Sequence, residues 1–209
     1  MTAKIKLNAA SGGGSFSLQA PSSSSNNRVI TLPDIADGTL VTSQSTLDST
    51  KLSPAITAGI TEMDNWRIYS SATLSGVSFL TSNWERNDTT FQKIGTGLTE
   101  SSGVFSFPST GKYYIVFFMS WNSSTTGNFS GGYIRVTTDG SNYTRRADGF
   151  GDIQGSGGHT AVALHLMLDI ENISTHKIKF EVEAQNSCQL RADSGRNVTG
   201  FISMKLGDT

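Results

Sequence analysis

Residues 162–171 read Val-Ala-Leu-His-Leu-Met-Leu-Asp-Ile-Glu, and that order leaves little choice of fold. Val162, Leu164, Leu166, Leu168 and Ile170 fall on one side of an extended chain, and Ala163, His165, Met167, Asp169 and Glu171 on the other. A period of two held this long predicts a half-buried strand of an antiparallel sheet; helical apolar positions recur at three and four. Lys177–Glu183 repeats the pattern, with Ile178, Phe180 and Val182 inward and charges outward, after a turn at Asn172–Thr175. Ile134 and Val136 around Arg135 predict another strand, closed by Asp139-Gly140, and Val198–Leu206 predicts the last. Short strands with turn signals between them predict an all-β sandwich or jelly roll over residues 66–209.

Composition narrows the class further. Ser and Thr fill 54 of 209 positions and Gly another 22, which disfavours a helical bundle. A net charge of −1 excludes a binder that covers nucleic-acid phosphates. The 36% apolar content is too high for a chain disordered throughout. No apolar run reaches the length of a membrane span, and Met1–Leu18 lacks the apolar stretch of a signal peptide, so synthesis in a cytoplasm without membrane insertion is expected. Cys188 stands alone and makes no internal disulfide.

One predicted strand breaks the alternation. Tyr113-Tyr114-Ile115-Val116-Phe117-Phe118-Met119 is apolar on both faces. Such a strand is covered on both sides, by a further layer or by another subunit. No amphipathic helix is long enough to be that layer, so a subunit contact is expected, with Tyr113, Tyr114, Val116, Phe117 and Phe118 as its candidates.

The first 42 residues are built differently. Lys4-Ile5-Lys6-Leu7 and Ser15-Phe16-Ser17-Leu18 alternate around Gly12-Gly13-Gly14, which predicts a hairpin. Arg28–Pro33 and Leu40-Val41 read as further short strands. So little apolar mass makes no independent core, so Ile5, Leu7, Phe16, Leu18, Val29, Ile30 and Leu32 are expected to pack on a partner or on copies of themselves. Residues 43–65 read as a linker. Its stripe Leu52, Ile56, Ile60 and Met63 fits a short neck helix, or a capped turn behind Ser53-Pro54.

Catalytic chemistry is not evident. His159, His165 and His176 flank turns or lie on a polar strand face; a threefold site with one histidine per subunit is the metal alternative. There is no Gly-x-Ser-x-Gly nucleophile turn, and no Lys-Ser/Thr follows Gly12–Gly14 as a phosphate loop requires. Asp148, Asp152, Asp169 and Glu171 are acids by type only, and Asp139–Asn142 reads as a turn or a calcium loop. No enzyme, cofactor or resident metal is expected. What remains is binding. Residues 142–158 form the longest irregular stretch, and Tyr143, Arg145, Arg146, Asp148, Phe150 and Asp152 among glycines suit a glycan or protein surface; a spacer loop is the other reading. A second loop candidate runs from Asn122 to Ser130.

Gly103-Val104-Phe105-Ser106-Phe107-Pro108-Ser109-Thr110-Gly111-Lys112-Tyr113 resembles the G-x-F-x-x-P-x-x-G-x-Y signature of complement globular-head and tumour-necrosis-factor-like jelly rolls, and Gly200-Phe201 is similar to their last strand. The resemblance covers roughly residues 66–209 and implies a ten-strand jelly roll forming homotrimers, with the strand after the Gly-x-Tyr turn facing the threefold axis. Lys4–Ala10, Ser17–Pro21 and Ile30–Asp34 look like the virion-proximal ends of fibre proteins from tailed bacteriophages, especially marine ones. Lys93–Gly103 and Leu206–Thr209 look like the C-terminal domains of the same proteins. This second resemblance implies a trimeric virion fibre whose residues 1–42 dock on another virion protein and whose outer domain adheres to a host surface. A head fibre or capsid decoration protein is the alternative, and a secreted-type trimeric receptor ligand a remote one.

Overall fold

In the computed structural model, which describes residues 4–8, 10–19, 59–123 and 128–209, every regular element is a strand. The chain divides into two units, Met1–Lys51 and Leu52–Thr209. In the first, β1 (Lys4–Asn8) and β2 (Ser15–Gln19) form the expected antiparallel hairpin, with Ile5 opposite Leu18 and Leu7 opposite Phe16. Gly12 and Gly13 take positive φ in the turn, a conformation open to glycine at little cost. Leu7 is exposed. Val29, Ile30 and Leu32, and the further strands read around them, lie outside the described residues.

The second unit carries β3 (Met63–Ile68), β4 (Ala72–Phe79), β5 (Trp84–Arg86), β6 (Lys93–Ile94), β7 (Thr99–Ser101) and β8 (Val104–Ser106). The longer strands follow: β9 (Gly111–Ser123), β10 (Asn128–Thr137), β11 (Thr144–Ile153), β12 (Gly158–Ile170), β13 (Lys177–Leu190) and β14 (Gly200–Gly207). They fold into two facing layers. One runs β3-β14-β9-β12, with β5 and β6 on the free edge of β3. The other has β13 at its centre, flanked by β10 and β11 on one side and by β8 and β4 on the other. All of these ladders are antiparallel, as the alternation required. Past a bulge between Ala184 and Cys188, the end of β13 crosses over and pairs with Trp121–Ser123 of β9, so one strand belongs to both layers.

The core between the layers is aromatic. The Phe180 ring lies 4.5 Å from Phe117 and 4.6 Å from Phe201, while Trp84 stands edge-on to Phe105 at 5.1 Å. Phe105, Phe117, Phe180 and Phe201 are fully enclosed. Three readings change here. Tyr113 and Phe117 belong to this core: on β9 the odd residues point inward and only the even ones outward. Residues 144–153 are a strand rather than a loop. Met63 opens β3, so no helix runs through it from the linker; Leu52 and Ile56 lie outside the described residues.

The edge at β3 is held by polar side chains that periodicity did not reveal. The Asp64 carboxylate is fully buried and accepts hydrogen bonds from the Trp66 indole, the Leu98 amide and the Arg86 guanidinium. Arg67, equally enclosed, pairs with Glu85 and with Asp88. Each buried charge meets an opposite one, as burial demands.

Candidate interaction faces

Two sheet faces point away from the core, and they differ in chemistry. The register of β3, β14, β9 and β12 lays out the first in rows. Arg67, Gly200, Phe118 and Ala163 make one row, and Asn65, Ile202, Val116 and His165 the next. Met63, Met204, Tyr114 and Met167 make the third. Phe118, Val116, Tyr114, Ile202 and Met204 are half-buried, and Met167 is 72% exposed. Arg67 and Asn65 are covered by the segment after β5, where the Asn87 side chain donates to Asn65 Oδ1 and accepts from Arg67. The Tyr114 hydroxyl lies 2.6 Å from His165 Nδ1, which ties the exposed histidine to β9. The centre of this face is therefore apolar and its β3 edge polar. At one end, where Lys112 is ion-paired with Asp169, Met167 and Leu206 border an open apolar hollow of about 520 Å³. Of the subunit-contact candidates, Tyr114, Val116 and Phe118 lie on this face and Tyr113 and Phe117 do not.

The second face is the outward side of β4, β13, β10 and β11. Here Lys179 on β13 stands opposite Arg135 on β10, which stands opposite Arg145 on β11. The next row holds Phe79, Glu181, Tyr133 and Asp148. Glu181 faces outward as the alternation required, yet it is buried there by its neighbours. Arg135 grips it through Nε at 2.7 Å and Nη2 at 3.0 Å, and Arg145 Nε donates to it at 3.0 Å. Burial pushes the Glu181 carboxyl up, but these two guanidinium groups outweigh it and hold it below its ordinary range. The Arg145 guanidinium carbon lies over the Tyr133 ring, 3.6 Å from its centroid. The Tyr133 hydroxyl donates to Glu183, and burial with that carboxylate pushes it up to about 12. The Lys179 ammonium sits 4.1 Å from the Phe79 ring and 4.2 Å from the Tyr143 ring.

The sequence-derived binding residues thus fall on or beside β11. Arg145, Asp148, Phe150 and Asp152 share its outward side, and Phe150 packs edge-on against Tyr133 and Phe129. Arg146 is the extra residue of a bulge between the Ile134–Ala147 and Arg135–Arg145 pairs. Tyr143 precedes the strand and covers Lys179. Sequence reasoning missed Phe79, Tyr133, Arg135, Lys179 and Glu181. A strand register for β10, β11 and β13 would have brought most of them together.

The other candidates stay apart. The Asp139 carboxylate accepts the Ser141 and Asn142 amides at 2.8 and 2.7 Å and the Asn142 side chain at 2.7 Å. Those donors, the Asn142 side chain foremost, hold it well below the usual carboxylate range, so Asp139–Asn142 is a turn whose carboxylate oxygens are already occupied. His159 and His165 are exposed, His176 is buried beside Thr175, and no metal-ligating cluster occurs among the described residues. Residues 124–127 of the Asn122–Ser130 candidate lie outside the described residues.

No family model and no curated protein matches this chain. Solved structures do. Murine APRIL at pH 5.0 superposes with a TM-score of 0.50 at 11% identity, covering 69% of this chain and 99% of that one. Eiger TNF from S. frugiperda superposes equally, at 0.50 and 11%, covering 70% of this chain and 93% of that one. PRD1 vertex protein P5 reaches 18% identity over 72% of this chain and 100% of that one, but its TM-score of 0.40 is too low to speak to fold or role. At these identities the first two bear on fold alone. Together with two facing antiparallel layers and strand order β3-β14-β9-β12 in one of them, they make the body a TNF-like jelly roll.

Proposed function

We propose that this chain is a non-enzymatic, homotrimeric structural protein of a tailed-bacteriophage virion, a fibre that adheres to host surfaces. The observation that carries the assembly is the apolar grid of Phe118, Val116, Tyr114, Ile202 and Met204. Within one subunit nothing among the described residues covers it, and an apolar patch of this kind favours association. The grid lies on the layer that the TNF-like resemblance turns toward a threefold axis. Virion membership is supported by the fibre-like segments Lys4–Ala10, Ser17–Pro21 and Ile30–Asp34. On this reading residues 1–42 dock on another virion protein, and the face built on β13, β10 and β11 looks outward. A head fibre or capsid decoration protein would share the same body and differ in what residues 1–42 touch. Light scattering tests the assembly: a trimer's mass is expected, and a monomer would remove the interface. Negative-stain microscopy of particles labelled at the C-terminus separates tail from head.

A further inference from the structure

The row Lys179, Arg135, Arg145 sets three cations directly opposite one another on adjacent strands. Like charges so placed repel, and a sheet selected only for stability would not keep them. A single buried carboxylate, Glu181, is ion-paired with two of the three and acts on Lys179 only at longer range. Lys179 is the third. Its ammonium is held between the Phe79 and Tyr143 rings, and none of its donors meets an acceptor among the described residues. Burial, and then the Arg135 charge, pull it below its ordinary range. Arg145 is held against Tyr133 and to Glu181 through Nε, and its side chain stays 41% exposed. Glu183 is engaged by Tyr133, while Asp148 lies one row away and Lys177 one row beyond on the other side. The row thus sets three cations, each over an aromatic ring, against the one carboxylate ion-paired with it, while Glu183, Asp148 and Asp152 lie on other rows of the face.

We propose that this row binds an acidic oligosaccharide, with one carboxylate or sulfate on Lys179 and a second on Arg145, and with sugar rings laid on Phe79 and Tyr143. This deepens the adhesion reading above and rests on it. Lys179 and Arg145 stand two strands apart, roughly 10 Å at the backbone, so they suit repeated anions rather than one. An acidic peptide fits less well. The backbones of β10 and β13 are paired on both sides, so this face offers only side chains and would leave a peptide's amides without partners. A sugar asks for ring contact and charge, both of which are pre-set here.

The test is calorimetric titration of the full chain with oligogalacturonate and with sulfated dextran oligosaccharides, alongside neutral dextran and polyglutamate. Saturable binding of at least one acidic saccharide, and none of dextran, is expected. The arm that binds identifies carboxylate or sulfate. Lys179→Met keeps the aliphatic stem between the rings and should weaken binding roughly tenfold, as should Arg145→Gln. Lys93→Gln, at an exposed site on β6, should leave binding unchanged. Absence of saturable binding, polyglutamate binding as tightly, or an equal loss in Lys93→Gln overturns the site. A trimer that binds no acidic saccharide overturns this site and leaves the assembly standing. If Lys179→Met loses the saccharide while particles carrying it adsorb to cells normally, the adhesion role fails and the site stands.

Discussion

Val116 and Phe117 are neighbours in sequence with opposite fates. Val116 lies on the outward grid, whereas Phe117 is fully enclosed against Phe180. Val116→Asp should therefore leave a folded chain of monomer mass by light scattering. Phe117→Ala should instead cost about 3–5 kcal/mol, read as a lower urea midpoint. Lys179 and Glu181 make a second contrast. Lys179→Met relieves repulsion in the cation row but gives up the ammonium's contact with two rings, so Tm should move by less than about 2 °C in a melting experiment. Glu181→Gln strips two guanidinium groups of their carboxylate and should cost about 2 kcal/mol, less than a fully buried pair because both arginines are partly exposed. The pH dependence follows from the direction of its shift. A carboxyl held below its unfolded value of 4.5 gives stability that is complete above about pH 4.5 and lost as pH falls through the lower folded value. The Gln variant should lose part of that acid limb in urea titrations from pH 6 to pH 2.

Among the elements, those with branched apolar alternation could be read from the chain alone: β12, β13, β14 and part of β10. The apolar run of β9 also marked it as a strand, but apolar residues on both faces gave no means of telling the core side from the outer one, so Tyr113 and Phe117 were misplaced. β11 was illegible for a physical reason. Its inward positions are Ala147, Gly149, Gly151 and Ile153, because Leu164, Val162 and Thr160 of β12 fill the space that larger side chains would occupy. A Cβ built on Gly149 would sit 2.7 Å from Leu164 Cδ2. Gly149→Val should then overpack this contact and cost about 1–3 kcal/mol in thermal or urea unfolding, with β11 losing amide-exchange protection first. The same small residues made residues 142–158 look like a loop. Six of its residues were singled out by chemistry, but their partners on β4, β10 and β13 are brought to them by register, which no local pattern encodes.

For the whole molecule, the division at Lys51 predicts how parts can be removed. A chain lacking residues 1–42 should melt as the full chain does, keep a trimer's mass and bind acidic oligosaccharide, yet fail to join particles. Loss of folding would mean that the hairpin segment completes the core. The strand order carries one more consequence, a mechanical one. β3 is the first strand of the body, zipped to β14 from Gly200 to Met204 and bordered on its other edge by β5 and β6. Tension arriving from the chain before residue 63, with the body held through its outer face, pulls β3 lengthwise between those neighbours. The ladder bonds and the buried Asp64 and Arg67 pairs then bear the load in parallel and must rupture together. The apolar rows of Phe118, Val116 and Tyr114 are thus laid down in the same layer as the strand best placed to resist being drawn out.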